Sequence, residues 1–164
     1  MSDEMRLLDL LAKDPRASVT DLADILGEEE SDVEAAKAKL EKDKVICGYH
    51  TVINWDKTNV EHVDAIIGVK ASTERGKGYD NIAERIGRFP EVSGLYLVSG
   101  ETEFLVNINA KTMREVADFV GEKLAPIEGV AGTITMFVLK KYKVNGIEMD
   151  LEKEAEDDRM IVSA

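Results

Sequence analysis

Two different apolar periodicities divide this chain, and they limit what it can fold into more than any other feature. Apolar residues in 1–44 recur only at helical spacing, whereas those in 62–144 switch between strand alternation and helical spacing. The two patterns bury different kinds of face, so one layer of structure cannot satisfy both. With 164 residues, the chain is long enough for two small modules, one helical and one mixed.

Two helices are predicted at the start of the helical module. The first covers 3–13 and ends before Pro15, because proline disfavours the helical conformation in the residue that precedes it. The second covers 21–26, with Thr20 as its predicted N-cap. Gly27 is expected to end this helix in the left-handed conformation.

A third helix is predicted after the turn GEEE. Ser31 and Glu34 have the S-x-x-E spacing of a capping box, and Val33, Ala36 and Leu40 lie on one helical face. Three helices with a glycine-containing turn before the last one are typical of a helix-turn-helix unit. Such a unit is also a common way to bury a few leucines, so the pattern by itself leaves DNA binding open.

The mixed module, residues 62–144, is predicted to form strand, helix, strand, strand, helix and strand in that order. The second and third strands, VSGLYLVS and EFLVNIN, are joined by the polar segment GET as a hairpin. Pro90 ends the first helix, and Thr112 with Glu115 forms a capping box for the second. The order βαββαβ is the split-βαβ, ferredoxin-like arrangement.

The predicted sheet is apolar on both of its faces, although two helices can cover only one. One parity contains Ile67, Val106 and Met136, and the alternate parity contains Ile66, Leu105, Phe137 and Leu139. An exposed apolar surface of this size is unusual for a monomer. We therefore expect a second subunit to pack against the uncovered face.

The net charge of −12 is concentrated at the two ends of the chain. Residues 62–144 carry equal numbers of acids and bases, whereas 1–44 and 145–164 are both acidic. This asymmetry suggests separate modules. We expect 145–164 to be a tail that is mobile in its acidic part.

The composition offers little support for metal, disulfide or catalytic chemistry. Cys47 is the single cysteine, and His50 and His62 are the two histidines, so a zinc site has almost no ligands to use. No nucleophile and base pair or phosphate loop has the spacing of a motif, so we expect no cofactor, no metal and no enzyme activity. The chain lacks a secretory start and an apolar run of about 18 residues, so we expect a cytoplasmic protein with no membrane partner.

Four stretches of sequence resemble the Lrp/AsnC (feast/famine) family of transcription regulators. They are VTDLADILG, SDVEAAKAKLEKDKVICGYHTVIN, PEVSGLYLVSGETEFLVNI and GVAGTITMFVLKKYK. The resemblance implies an α+β protein with an N-terminal winged-type helix-turn-helix and a C-terminal ferredoxin-like βαββαβ domain. It assigns 1–50 to the helix-turn-helix domain, 51–61 to a strand and linker, 62–144 to an effector-binding and dimerisation domain, and 145–164 to the acidic tail. The chain leaving the first domain, 45–55, is expected to contain the strand and to lead into the linker.

The resemblance also implies an effector site between the second and third strands. The family carries Gly-x-x-Asp where amino-acid effectors bind, and here that position reads Gly100, Glu101, Thr102 and Glu103. Glycine permits a close approach by the ligand, and nearby amides can meet a carboxylate. Glutamate in place of aspartate at 103 changes the geometry, and an ordinary hairpin loop is the alternative interpretation.

The third helix enters the major groove in the family, and Ser31 and Lys39 are the candidate DNA-contacting residues. This sequence departs from the family there, because six acids and no base lie between Asp24 and Glu34. Carboxylates in this position oppose phosphate oxygens and lose the favourable release of counterions. The lysines at 37, 39, 42 and 44 lie further along the helix, where a solvated face with internal ion pairs is the alternative to phosphate contact.

These features predict an effector-responsive, DNA-binding transcription regulator that senses an amino acid or a related metabolite. Its expected partners are double-stranded DNA, bound weakly and dependent on assembly, the effector, and further copies of the chain. The apolar sheet face predicts a homodimer, and the resemblance implies larger assemblies such as an octamer. The alternative is a non-DNA-binding metabolite sensor or assembly protein with a diverged helix-turn-helix.

Overall fold

The computed structural model describes residues 3–72 and 78–149. Contacts within the chain divide it into two compact units, Met1–Thr51 and Val52–Ala164. Within the described ranges, no helix is both long enough and apolar enough to cross a membrane. Most of the acidic tail, with the apolar residues near its end, lies outside the described residues.

The first unit contains the three predicted helices. They are α1 Asp3–Lys13, α2 Val19–Leu26 and α3 Glu30–Lys42. Their apolar stripes meet in one core, as the helical spacing requires. The buried residues of this core are Leu7, Leu11, Leu22, Ala23, Leu26, Val33 and Leu40.

Helix α2 begins two residues earlier than predicted, so its N-cap is Ser18 and the prediction of Thr20 was wrong. The Ser18 hydroxyl accepts a hydrogen bond from the Asp21 N–H at 3.0 Å and donates one to the Asp21 carboxylate at 2.6 Å. The end of α2 was predicted correctly. Gly27 adopts a left-handed φ of 75°, and its N–H donates to the Ala23 carbonyl at 2.8 Å.

Helix α3 begins at Glu30, so the predicted capping box was also wrong. Glu29 is the N-cap and makes no side-chain capping bond. Ser31 lies inside the first turn and is exposed. The acids of this turn, Glu30 and Asp32, favour the helix start through the dipole instead of through a cap.

The second unit has the predicted βαββαβ order. Its elements are β1 Val63–Ala71, α4 Asp80–Gly87, β2 Val92–Leu97, β3 Phe104–Ala110, α5 Met113–Asp118, which continues as a π-helical segment Phe119–Leu124, and β4 Val130–Phe137. The four strands are antiparallel in the order β2-β3-β1-β4. This is the ferredoxin-like α+β arrangement that the sequence predicted.

Helices α4 and α5 cover one face of the sheet and form the second core with it. The buried residues of this core are Ala65, Ile67, Val69, Ala71, Ile82, Ile86, Phe104, Val106, Ile108, Val116, Phe119 and Leu124. Thr112 caps α5 by accepting from the Glu115 N–H at 3.2 Å. The Glu115 carboxylate accepts from the Lys111 N–H at 2.8 Å, so the box closes one residue earlier than expected.

We call the opposite face of the sheet the open face. It is apolar, as predicted, but some of the residues that were predicted to lie on it lie elsewhere. Ile66 pairs with Met136 across β1 and β4, and Ile134 and Met136 are each 47% exposed. Phe137 was placed on this face wrongly, because it lies opposite Ala65 and packs against the core. Met136 was wrongly predicted to share the parity of Ile67, because it lies opposite Ile66 on the open face. Apolar residues occupy both parities of β4, so the strand register decides which of them faces the helices.

Leu139 was also assigned to the open face, but it lies beyond the end of β4 and is 91% exposed. The strand predicted within 45–55 is absent from the described part of the chain, where 45–54 has no regular structure. A strand needs a neighbour that accepts and donates its backbone hydrogen bonds. A 3₁₀ turn, Trp55–Lys57, follows this segment.

The start of the predicted tail is a hairpin instead. Strands β5 Lys143–Val144 and β6 Ile147–Glu148 pair through Asn145 and Gly146, whose φ angles are 49° and 82°. Asn-Gly with two positive φ angles is the signature of a tight type I′ hairpin turn, and it was readable in the sequence. Met149, which follows the hairpin, is 7% exposed.

The two candidate N-caps of α2 give a direct test of this fold. Ser18→Ala should destabilise the first unit by about 1 kcal/mol, because it removes the side-chain acceptor of an N-terminal N–H. Thr20→Ala is the matched control, because Thr20 lies inside α2 and is exposed. Thermal unfolding followed by circular dichroism measures both changes. An equal or larger effect of Thr20→Ala would contradict the assignment.

Candidate functional site

The loop between β2 and β3 contains the four predicted effector residues, and its base is fixed by Glu103. The Glu103 N–H donates to the Val69 carbonyl at 3.0 Å, and the Glu103 carbonyl accepts from the Val98 N–H at 2.9 Å. The Glu103 carboxylate accepts from the Ala71 N–H at 2.7 Å. One residue therefore ties the end of the loop to both neighbouring strands.

The length of the Glu103 side chain has a structural use here. The pairing of β1 with β3 ends at Val69 opposite Phe104, two residues before Ala71. The carboxylate spans this gap and satisfies the N–H of Ala71, a residue that is buried. The family pattern has Asp at this position, and the longer Glu103 side chain found here uses one carboxylate oxygen to accept the hydrogen bond from Ala71.

The remaining three loop residues differ in their surroundings. A Cβ atom built on Gly100 would meet no atom within 4 Å, so space is open at the tip. Glu101 is exposed. Thr102 turns towards the sheet, where its methyl carbon lies 3.0 Å from a Cβ atom built on Gly68. The loop therefore has an open tip and a fixed base.

A cavity of about 230 Å³ lies elsewhere in the second unit, and none of the four loop residues lines it. Its lining is Glu91, Ile108, Asn109, Ala110, Glu115, Asp118, Phe119, Glu122 and Lys123. Carboxylates on an apolar floor suit a cationic group, and Lys123 already supplies one by binding Glu91. The hydrogen bond from Lys123 lowers the pKa of Glu91.

A polar cluster that the sequence analysis missed surrounds Asp64 in β1. Its carboxylate accepts hydrogen bonds from Asn109 and pairs with Lys141, and it lies 3.0 Å from His62 Nε2. The Trp55 and His62 rings stack at a centroid distance of 5.0 Å. The cluster fastens the segment before β1 to the sheet. Its members come from separate elements, so no sequence spacing marks it.

On the helical unit, Ser31 and Lys39 lie on the same helix but do not form one site. They are eight positions apart, which is about 12 Å along the helix axis. The Lys39 ammonium binds the Glu4 carboxylate at 2.8 Å, and this hydrogen bond raises the pKa of Lys39. Lys39 is therefore charged but already has an anionic partner.

A second lysine of α3 is also engaged within the unit. The Lys37 ammonium lies 5.4 Å from the centre of the Tyr49 ring. The Tyr49 hydroxyl donates to Glu41 at 2.8 Å, and desolvation together with this bond raises the pKa of Tyr49 to about 12. Tyr49 thus remains a neutral donor at physiological pH and holds the exit segment against α3.

The N-terminal end of α3 presents carboxylates to solvent. Glu29, Glu30, Asp32 and Glu34 are exposed, and Glu28 is partly exposed. Among the described residues, no group of three or more His, Cys, Asp or Glu side chains is arranged to hold a metal ion. These carboxylates form a surface of negative charge at the N-terminal end of α3.

The fold and the loop together define a class of protein in which a three-helix unit precedes a ferredoxin-like ligand-binding unit. The family model described as the Lrp/AsnC ligand binding domain matches residues 64–147. Bacillus subtilis YugG, named an uncharacterized HTH-type transcriptional regulator, is 40% identical over 98% of this chain and 96% of its own length. The chain belongs to the Lrp/AsnC family of transcription regulators.

Two further proteins show how much of the chain this similarity covers. The HTH-type transcriptional regulator LrpA of Pyrococcus abyssi is 34% identical over 84% of this chain and 94% of its own length. The solved structure of the Neisseria meningitidis transcriptional regulator NMB0573 in complex with L-Met has a TM-score of 0.70 at 22% identity, and the match covers 88% of this chain and 92% of that one. The family assignment therefore extends over both units.

Proposed function

We propose that this protein is an effector-responsive transcription regulator that binds double-stranded DNA and senses an amino acid or a related metabolite. The observation that carries the proposal is the joining of a three-helix unit to an Lrp/AsnC ligand-binding domain in one chain. The names of YugG and LrpA and the L-Met complex of the Neisseria regulator support it. On this proposal the protein is cytoplasmic and has no catalytic activity.

The effector site of the proposal is the loop Gly100–Glu103. The open space at Gly100 leaves room for the backbone of an amino acid. Gly100 and Glu101 are exposed residues, and their backbone amides are the groups proposed to meet its carboxylate. Glu103 supports the site by fixing the base of the loop, and one of its oxygens stays bound to Ala71. The loop therefore recognises its ligand mainly through backbone groups and Glu101.

DNA binding is assigned to α3, with Ser31 and Lys39 as contact residues. The carboxylates at its N-terminal end and the pairing of Lys39 with Glu4 both weaken the attraction for phosphate. A single subunit is therefore expected to bind poorly. Linking several units in one assembly raises the overall avidity without new contacts, provided that their geometry lets them engage together.

The alternative function is a metabolite sensor or assembly protein that no longer binds DNA. The observation that favours it is the internal use of Lys37 and Lys39 together with the exposed acids at the start of α3. Both functions keep the effector loop. They differ only in what the helical unit contacts, so DNA binding separates them.

Assembly is proposed to occur through the open face of the sheet, with a second copy of the chain as its occupant. Ile134 and Met136 in β4 and Tyr96 in β2 are about half exposed on this face. Exposure of these apolar side chains to water is unfavourable. In a two-fold symmetric dimer the open faces of two identical subunits pack against each other and bury them. Larger assemblies such as an octamer are implied by the family resemblance.

Dimerisation through the open face is tested by placing a charge on it. Met136→Glu should raise the dissociation constant of the dimer at least about a hundredfold, because the interface would bury an unpaired carboxylate. Met113→Glu is the matched control, since Met113 is an exposed residue of α5. Sedimentation equilibrium measures both variants. A wild-type protein that is monomeric at micromolar concentration would contradict the proposal.

Effector binding at the loop is tested by calorimetric titration with a panel of amino acids. Gly100→Val should abolish the binding that is found, because the side chain fills the space that the ligand needs. The free protein tolerates this change, since no atom lies near a Cβ at this position. Gly121→Val in the π-helical segment adds the same side chain in another open place. Unchanged binding by Gly100→Val would locate the site elsewhere.

DNA binding is tested by gel-shift titration of the intact protein with its own upstream DNA at low and moderate salt. Replacement of Glu28, Glu29 and Glu30 by Gln should strengthen non-specific binding at least about tenfold if this end of α3 faces phosphate. A second triple variant, with Gln at Glu61, Glu122 and Glu128, changes the net charge equally in the other unit. Absence of any shift at low salt, for the wild type and both variants, would favour the sensor.

A further inference from the structure

Thr102 of the effector loop reaches the open face of the sheet. A Cβ atom built on Gly68 would lie 3.0 Å from the Thr102 methyl carbon and 3.4 Å from its hydroxyl oxygen. Contacts of 3.0 Å at this atom require the neighbour to move. The Thr102 side chain therefore occupies the space that glycine leaves above β1.

Gly68 lies in the middle of the sheet and of its apolar surface. Its direct neighbours are Leu105 in β3 and Ile134 in β4, and Leu105 in turn pairs with Tyr96 in β2. These positions form one row across all four strands on the open face. Thr102 thus adds a side chain from the loop to the row that the second subunit is proposed to cover.

The backbone around Thr102 limits how far this side chain can move by itself. The next residue, Glu103, is bonded to Val69 and Ala71 of β1 and to Val98 at the end of β2. At the tip, by contrast, a Cβ atom built on Gly100 would meet no atom within 4 Å. Thr102 lies between this open tip and the bonded base of the loop, with its side chain against the sheet face.

We propose that Thr102 is a positioning residue that couples the effector loop to the open face through its contact with Gly68. The inference rests on the proposed function, because it gives the loop an effector and the face a second subunit. A ligand at Gly100 and a subunit on the open face then both influence the position of the Thr102 side chain. Each changes the affinity for the other by an equal factor.

The contact is tested with a double-mutant cycle in the full-length protein. Gly68→Ala adds a methyl group that displaces Thr102, and Thr102→Ser removes the methyl carbon with the shorter contact. Gly132→Ala is the control for added strand propensity, because Gly132 lies in β4 opposite Lys70 and its Cβ would meet no atom within 4 Å. The combined Gly68→Ala, Thr102→Ser variant restores the space.

Hydrogen exchange of the Val98 and Glu103 amides is the first readout, because both amides are bonded at the base of the loop. Gly68→Ala should speed their exchange about tenfold and weaken the dimer by a similar factor. The control should leave the exchange of both amides unchanged, and the combined variant should return the exchange rates and the dimer affinity towards the wild-type values. Equal effects of Gly68→Ala and Gly132→Ala on amide exchange, or no recovery in the combined variant, would overturn the proposal.

Amino-acid affinity, measured by calorimetry, is the second readout. It should fall about tenfold in Gly68→Ala, which changes a residue of β1 outside the loop, and recover in the combined variant. The exchange experiment needs no ligand, so it decides the coupling of loop and face even if the wild type binds none of the amino acids. Failure of wild-type binding would instead contradict the effector part of the proposed function.

Discussion

The chain covers only one face of its four-stranded sheet with helices, and the other features of the structure depend on this constraint. Helices α4 and α5 bury the face that contains Ile67 and Val106, so the face with Ile66 and Met136 remains open. An antiparallel sheet with one covered face commonly presents polar side chains on the face that meets water. Here the uncovered face carries Ile66, Ile134 and Met136, and it is therefore the surface on which we propose that a second subunit packs.

The order of helices and strands could be predicted from the sequence because each element carries its own periodicity. The faces could not all be predicted in the same way. Phe137 and Met136 are adjacent and both apolar, and only the pairing of Phe137 with Ala65 shows which of them meets the helices. The N-cap of α2 has the same character, since Ser18 and Thr20 are both suitable capping residues and only the structure shows that Ser18 accepts the capping bond from the Asp21 N–H.

The candidate site shows the same division between local and long-range information. The position of the effector loop follows from two predicted strands and a short connection. The bond from Ala71 to the Glu103 carboxylate joins residues 32 positions apart, and the pair of Lys39 with Glu4 joins residues 35 positions apart. No single sequence shows such pairs, because they depend on how elements pack. These two bonds nevertheless determine which side-chain groups at the two candidate sites remain free for a ligand.

The pairing of Lys39 with Glu4 bears on how the helical unit can meet DNA at all. Both side chains are more than half exposed, and ion pairs in such surroundings contribute little to stability because water screens them. A phosphate that approaches α3 therefore competes with Glu4 at small cost to the fold. What opposes binding is the field of the acids at the start of the helix, most of which are exposed. This field is screened within about 8 Å at physiological ionic strength. Added salt thus weakens the repulsion from these acids and the attraction from the lysines together, so DNA affinity in this protein should depend less steeply on salt than the number of its lysines suggests.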